Sequence, residues 1–146
     1  YHTPGHASGH LAFQESRYGA VIAGDLISTV STIVISPPEG HMATYMRSLE
    51  FLKSVTAGTL YASHGPAFRD GKGVIQYYIK HRQQRERKLL SALSATPQSI
   101  FDLVTQVYDD VDKRLWPLAE HSLLAGLIKL IEEGKCRQLG DKYAIC

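Results

Sequence analysis

The stretch Thr3-Pro4-Gly5-His6-Ala7-Ser8-Gly9-His10 puts two imidazoles into one glycine-bearing loop, at the point where an incoming strand would end. Two later segments repeat the design. Asp25 follows the short apolar run Ala20-Val21-Ile22-Ala23-Gly24, and His64 follows Thr59-Leu60-Tyr61-Ala62-Ser63 and precedes Gly65-Pro66. Polar side chains placed just beyond the ends of neighbouring strands converge on one edge of a sheet, and glycine lets the backbone come close there. Two imidazoles and a carboxylate form a mixed nitrogen and oxygen ligand set suited to zinc, iron or manganese. Each residue also has an ordinary role: a loop histidine caps or faces solvent, and Asp25 could be a turn residue or a helix N-cap. For His10 the reading favours support of a neighbouring ligand over metal binding. His2 and His41 read as ordinary polar residues, and His81 as part of a solvated helix face.

Around these segments the chain alternates between sheet and helix signals. Leu11 to Glu15 alternates apolar and polar residues, Ser16 to Gly19 turns, and Ile33-Val34-Ile35 is β-branched up to Pro37-Pro38. Met42, Tyr45, Met46, Leu49, Leu52 and Val55 fall at helical spacing before Gly58. The second half changes rhythm. It predicts a long helix over Val74–Leu93, a second capped by Thr96 and opening at Pro97, and a third over Trp116–Glu133, then a hairpin turning at Gly140-Asp141. Three helices and a terminal hairpin of this size describe a winged helix. The fold class is therefore α+β, divided into residues 1–72 and a linker helix with winged-helix unit over 73–146.

Composition narrows the classes. Across 146 residues, 44% are hydrophobic and 21% charged, enough apolar material for a core and incompatible with disorder. No apolar run approaches the roughly 18 residues of a membrane span, and Tyr1 to Gly5 lacks the pattern of a secretory signal. Cys136 and Cys146 form no disulfide framework and suit a reducing compartment. These features place the chain in the cytoplasm, away from membranes. Net charge is −1 over residues 1–70 and +3 over 71–146. Five of the second half's twelve basic residues cluster on its first predicted helix, where Lys80, Arg82, Arg85, Arg87 and Lys88 stand against Glu86 alone. They read either as a solvated helix face or as a phosphate-contacting surface. The helix over Trp116–Glu133 carries Glu120, Glu132 and Glu133 against Lys129, which argues against major-groove DNA reading.

The order and intervals of the three polar segments resemble the later metal motifs of the metallo-β-lactamase fold hydrolases. Tyr45 to Leu52, Tyr78-Ile79-Lys80-His81-Arg82, Arg85-Glu86 and Ala119-Glu120-His121-Ser122-Leu123-Leu124 extend the resemblance to the β-lactamase-like protein 2 branch, which carries a C-terminal winged helix. The resemblance implies the second half of an αββα sandwich followed by that winged helix. It implies that His6 binds one metal, Asp25 bridges two metals and takes part in catalysis, His64 binds the other, and His10 supports them. It further implies two zinc ions per complete site, holding a hydroxide that attacks an ester, thioester or phosphodiester. The family's first motif, His-x-His-x-Asp-His, does not occur among these residues. The chain therefore reads as a fragment, inactive alone and partnered by an upstream half of the same domain. Three functions follow: an endonuclease for single-stranded RNA, a glyoxalase II-like thioester or lactone hydrolase, or a non-catalytic winged-helix binding module.

Overall fold

A computed structural model describes all residues, 1–146. Strands β1 (Phe13–Gln14), β2 (Val21–Ser28) and β3 (Leu60–His64) form a sheet in the order β1-β2-β3, with β1 antiparallel and β3 parallel to β2. Helix α1 (Met42–Val55) makes the crossover between the parallel strands. Helix α2 (Gly71–Ala92) leads to β4 (Gln98–Ser99), α3 (Ile100–Val107), a 3-10 turn over Lys113–Leu115, α4 (Trp116–Glu132) and the hairpin β5 (Cys136–Leu139) and β6 (Lys142–Ile145). The second sheet runs β4-β6-β5 and is antiparallel throughout, giving the helices and wing expected of a winged helix.

Several boundaries differ from the sequence expectation. Strand β2 does not end at Ala23-Gly24. It continues to Ser28, so Asp25 lies inside it, and β3 likewise takes in His64. Continued pairing is possible because the register shifts on both sides of Gly24, which sits at φ +55° and lets the strand bulge. Ile33 to Ile35 is not a strand, although Ile33 and Ile35 are buried. Side chains from elsewhere satisfy its backbone: Ser122 Oγ accepts from the Ile35 amide at 3.2 Å, and Arg82 donates to the Ile33 carbonyl. Thr96 does not cap α3. Ser99 does, in a reciprocal capping box with Asp102, because Gln98 and Ser99 are drawn into pairing with β6.

Two cores share one helix. The first gathers Val21, Leu26 and Ile27 of β2, Tyr45, Leu49 and Leu52 of α1, and Ile75, Tyr78 and Ile79 from the N-terminal half of α2. The second takes Leu89 at the other end of α2, with apolar residues of α3, α4 and the wing. Between them Arg82 is only 5% exposed. Its guanidinium lies over the Tyr45 ring at 5.4 Å, and the Tyr45 hydroxyl donates to the Leu26 carbonyl at 2.7 Å. Burial, partly offset by Arg82, pushes the Tyr45 hydroxyl up to about 12, so it stays a donor at any physiological pH.

The five basic residues of α2 therefore do not form one phosphate-contacting face. Arg82 is in the interior. Arg85 donates to the Val107 carbonyl and the Asp110 carboxylate, and lies over the Tyr108 ring at 4.7 Å. Lys88 pairs with Asp109 at 2.8 Å, leaving Lys80 and Arg87 as the exposed cations of the five without such a partner. His81 is half-buried and stacked on Tyr77, not part of a solvated face.

Two stability predictions follow from these contacts. Arg82→Ala, which leaves the Ile33 carbonyl unpaired and opens a void beside Tyr45, is expected to cost about 2–4 kcal/mol in urea unfolding, against about 0.5 kcal/mol or less for an exposed change such as Arg87→Ala. The hydrogen bond from Arg85 lowers the Asp110 carboxyl from 3.8 to about 2. A depressed carboxyl stabilises the fold above its unfolded value and loses that contribution as pH falls through its folded value. Asp110→Asn should accordingly flatten the loss of stability between pH 4 and 2. The effect should stay within about 0.5 kcal/mol, because the pair is solvent-screened.

Candidate metal centre

The loop that carries His6 and His10 is closed on itself and clamped to α1. The Thr3 amide donates to the His10 carbonyl at 2.9 Å, the His41 amide donates to the Gly5 carbonyl, and Ser48 Oγ donates to the Pro4 carbonyl. Gly5 is required here: at φ +130°, any Cβ would lie 2.3 Å from the Tyr45 backbone.

Hydrogen bonding sets the roles of the ring nitrogens. His6 Nδ1 lies 3.1 Å from the Val34 carbonyl, which can only accept, so Nδ1 carries the proton and Nε2 keeps a free lone pair. His10 has the opposite arrangement. Its Nε2 accepts from the Asp25 amide at 3.0 Å, so its Nδ1 proton goes to Thr3 Oγ1 at 2.9 Å. Burial, with His6 nearby, holds the His10 imidazole below its ordinary value and favours the neutral form that this geometry uses. The structure thus places His10 behind Asp25, gripping its backbone. Gly24 makes this possible, since a Cβ there would sit 2.5 Å from His10 Nε2.

Across the sheet, His64 Nε2 lies 3.1 Å from Asp25 Oδ1. That oxygen is shielded from solvent and yet accepts no hydrogen bond, so the two groups are close without being aligned as donor and acceptor. The Thr29 amide and hydroxyl both donate to the His64 carbonyl, at 2.9 and 3.0 Å, and fix its backbone. Gly65, at φ +92°, allows the Thr29 side chain to pass where a Cβ would collide.

An orphaned carboxylate oxygen facing an imidazole nitrogen, with the lone pair of His6 Nε2 on the adjoining loop, is the donor chemistry of a zinc-type site. The residues fit a metal as part of its shell. No group of three or more His, Cys, Asp or Glu converges closely enough in this chain to hold an ion on its own.

Known proteins resemble the chain in both sequence and fold. Residues 99–144 match the family described as the Beta-lactamase associated winged helix domain. Over 139 residues, 93% of the chain, it is 33% identical to a Beta-lactamase-like protein 2 homolog of Drosophila melanogaster, of which it covers 46%. A metallo-beta-lactamase family protein from Thermus thermophilus superposes with a TM-score of 0.84 at 26% identity, over 99% of this chain and 48% of that one. The chain resembles metallo-β-lactamase family proteins in both sequence and fold. It spans about half the length of the relatives it matches. Among them is an Atrochrysone carboxyl ACP thioesterase of Claviceps purpurea, 28% identical over 115 residues, which are 75% of this chain and 36% of that protein.

Thr3 and Val34, which bond the rings of His10 and His6, and Thr29, which bonds the His64 backbone, carried no signal that the sequence reading used. Gly24→Ala tests the bulge. It is expected to cost about 1–3 kcal/mol in denaturant unfolding, through strain at positive φ. It should also shift the His10 ring resonances in NMR spectra while leaving the helical circular dichroism unchanged.

Proposed function

We propose that this chain supplies His6, Asp25 and His64 to a metal-dependent hydrolase that cleaves an ester or thioester bond. The observation that carries the reading is the shielded, unpartnered Oδ1 of Asp25 with His64 Nε2 3.1 Å away, at the bulged parallel edge of β2 and β3. A bound divalent cation, with zinc the best match to imidazole and carboxylate donors, supplies Lewis acidity toward the scissile carbonyl and activates water. The chain's own part is positional. His10 holds the Asp25 backbone, the Val34 carbonyl turns His6 so that Nε2 faces outward, and Thr29 anchors the strand end bearing His64.

The remaining ligands and the rest of the fold have an evident place to come from. Phe13, Ile22 and Tyr61 are cross-strand neighbours on one face of the first sheet, and they are 58%, 52% and 48% exposed, whereas the other face is buried on α1 and α2. An apolar row of this kind suits the second sheet of a sandwich, supplied by the other half of the hydrolase domain. An acyl substrate is favoured over single-stranded RNA by the dispersal of the α2 cations into structural contacts, and a thioesterase among the relatives agrees with it. No helix of the chain is long and apolar enough to cross a membrane.

In the full-length protein, His64→Ala and Asp25→Asn should each reduce acyl-thioester hydrolysis by about a hundredfold or more. Metal measured by mass spectrometry should fall in parallel. Full activity in either variant would remove the ligand scheme. Cleavage of a labelled single-stranded RNA, with no thioester hydrolysis, would replace the acyl reading by the nuclease one. For the 146-residue chain purified with trace zinc, less than one ion per chain is expected; two would show that the set is complete without further residues.

A further inference from the structure

A cleft of about 590 Å³ lies between the segment Val30–Val34 and the 3-10 turn with the start of α4. Both ends of the segment that walls it are tied to the candidate metal ligands. Thr29, at its start, donates twice to the His64 carbonyl, and Val34, at its end, accepts from His6 Nδ1. Anything seated against this segment is therefore held beside the site where the bond would be cleaved. Its wall is apolar at Val30, Leu115 and Leu118, side chains that are left in solvent; Val30 is 70% and Leu118 53% exposed.

The charged side chains along the cleft are held by partners within the chain, with only the buried Nε of Arg82 left without a hydrogen bond. Arg82 is committed to the Ile33 carbonyl and the Tyr45 ring, Arg85 to the Val107 carbonyl and Asp110, and Asp112 to Arg114 at 2.6 Å. His81 is the remaining titratable group on the wall, and burial beside Arg82 holds it below its ordinary value, neutral near pH 7. The exposed Arg87 lies in a separate shallow depression with Gln84, Lys88, Ser91 and Gln106. A polyanion would meet two carboxylates at this rim and no uncommitted cation, whereas a neutral hydrocarbon would cover Val30, Leu115 and Leu118 without disturbing an ion pair.

We infer that the cleft is an acyl-chain subsite, which holds the apolar tail of a thioester or ester whose carbonyl lies at the Asp25–His64 edge. The inference rests on the acyl-hydrolase reading above and adds to it a preference for long apolar acyl groups. The geometry also gives the winged helix a part in specificity, because Leu115 and Leu118 belong to its turn and third helix and Val30 to the irregular segment that follows β2.

The test uses the full-length protein and two uncleavable probes, the S-decyl and S-ethyl thioethers of N-acetylcysteamine, titrated by calorimetry. The decyl probe should bind about tenfold tighter or more, and Leu118→Glu and Val30→Asp should each bring the two probes within about twofold of one another. Both positions are more than half exposed, so the thermal midpoints should stay near that of the parent. Equal affinity for the two probes overturns the subsite, as does a preference that survives both substitutions or displacement of the decyl probe by a single-stranded RNA decamer. Because neither probe is cleaved, a decyl preference in a protein that hydrolyses no thioester would keep the subsite and remove the hydrolase reading. Hydrolysis without a chain-length preference would do the reverse.

Discussion

The buried guanidinium of Arg82 is the constraint on which much of this structure depends. A cation withdrawn from water is costly unless its hydrogen bonds and electrostatic partners are built around it. Here the arrangement joins three separate parts of the chain. Helix α2 supplies the charge, the irregular segment 30–35 supplies a carbonyl, and α1 supplies the Tyr45 ring, whose hydroxyl reaches β2 one residue beyond Asp25. The segment that orients His6 is thus held in place by a charge lying outside the candidate metal centre. A hydrophobic residue at position 82 could fill the space but could not hold the Ile33 carbonyl, and the line from helix to ligand loop would be lost.

Much of this organisation was readable from residue order. The histidine loop, the helix at Met42–Val55, the hairpin turn at Gly140-Asp141 and the family resemblance all rest on local signals: periodicity, glycine at forced turns, and motif spacing. What escaped the reading depends on contacts distant in sequence. A short run such as Ala20–Ala23 gives no sign that β2 continues through a bulge, because the continuation depends on pairing with β3 some 35 residues later. Ile33 to Ile35 has strand composition, yet Arg82 and Ser122 take the hydrogen bonds a neighbouring strand would have used. Thr96-Pro97 is a sound local helix start, overridden by a capping box and a β-bridge three residues on.

The α2 cations show the same limit in functional terms. Five positive residues within nine positions look alike in sequence, and composition assigns them one role. Burial and partnering divide them into an interior anchor, a clamp to the end of α3, an ion pair with Asp109 and two exposed charges. Electrostatic footprints read from sequence count charges, while ligands respond only to the charges that remain uncommitted. The division leaves two uncommitted cations where composition counts five, with no change in net charge.

Helix α2 belongs to both cores, with Ile75, Tyr78 and Ile79 in one and Leu89 in the other. A rigid rod embedded at both ends transmits displacement along its length and resists hinging between them. The winged helix is thus mechanically coupled to the sheet that bears Asp25 and His64. Evolutionary exchange of one unit for another would have to preserve the pitch and phase of this shared helix, because a single inserted residue would rotate one set of apolar side chains by about 100° relative to the other.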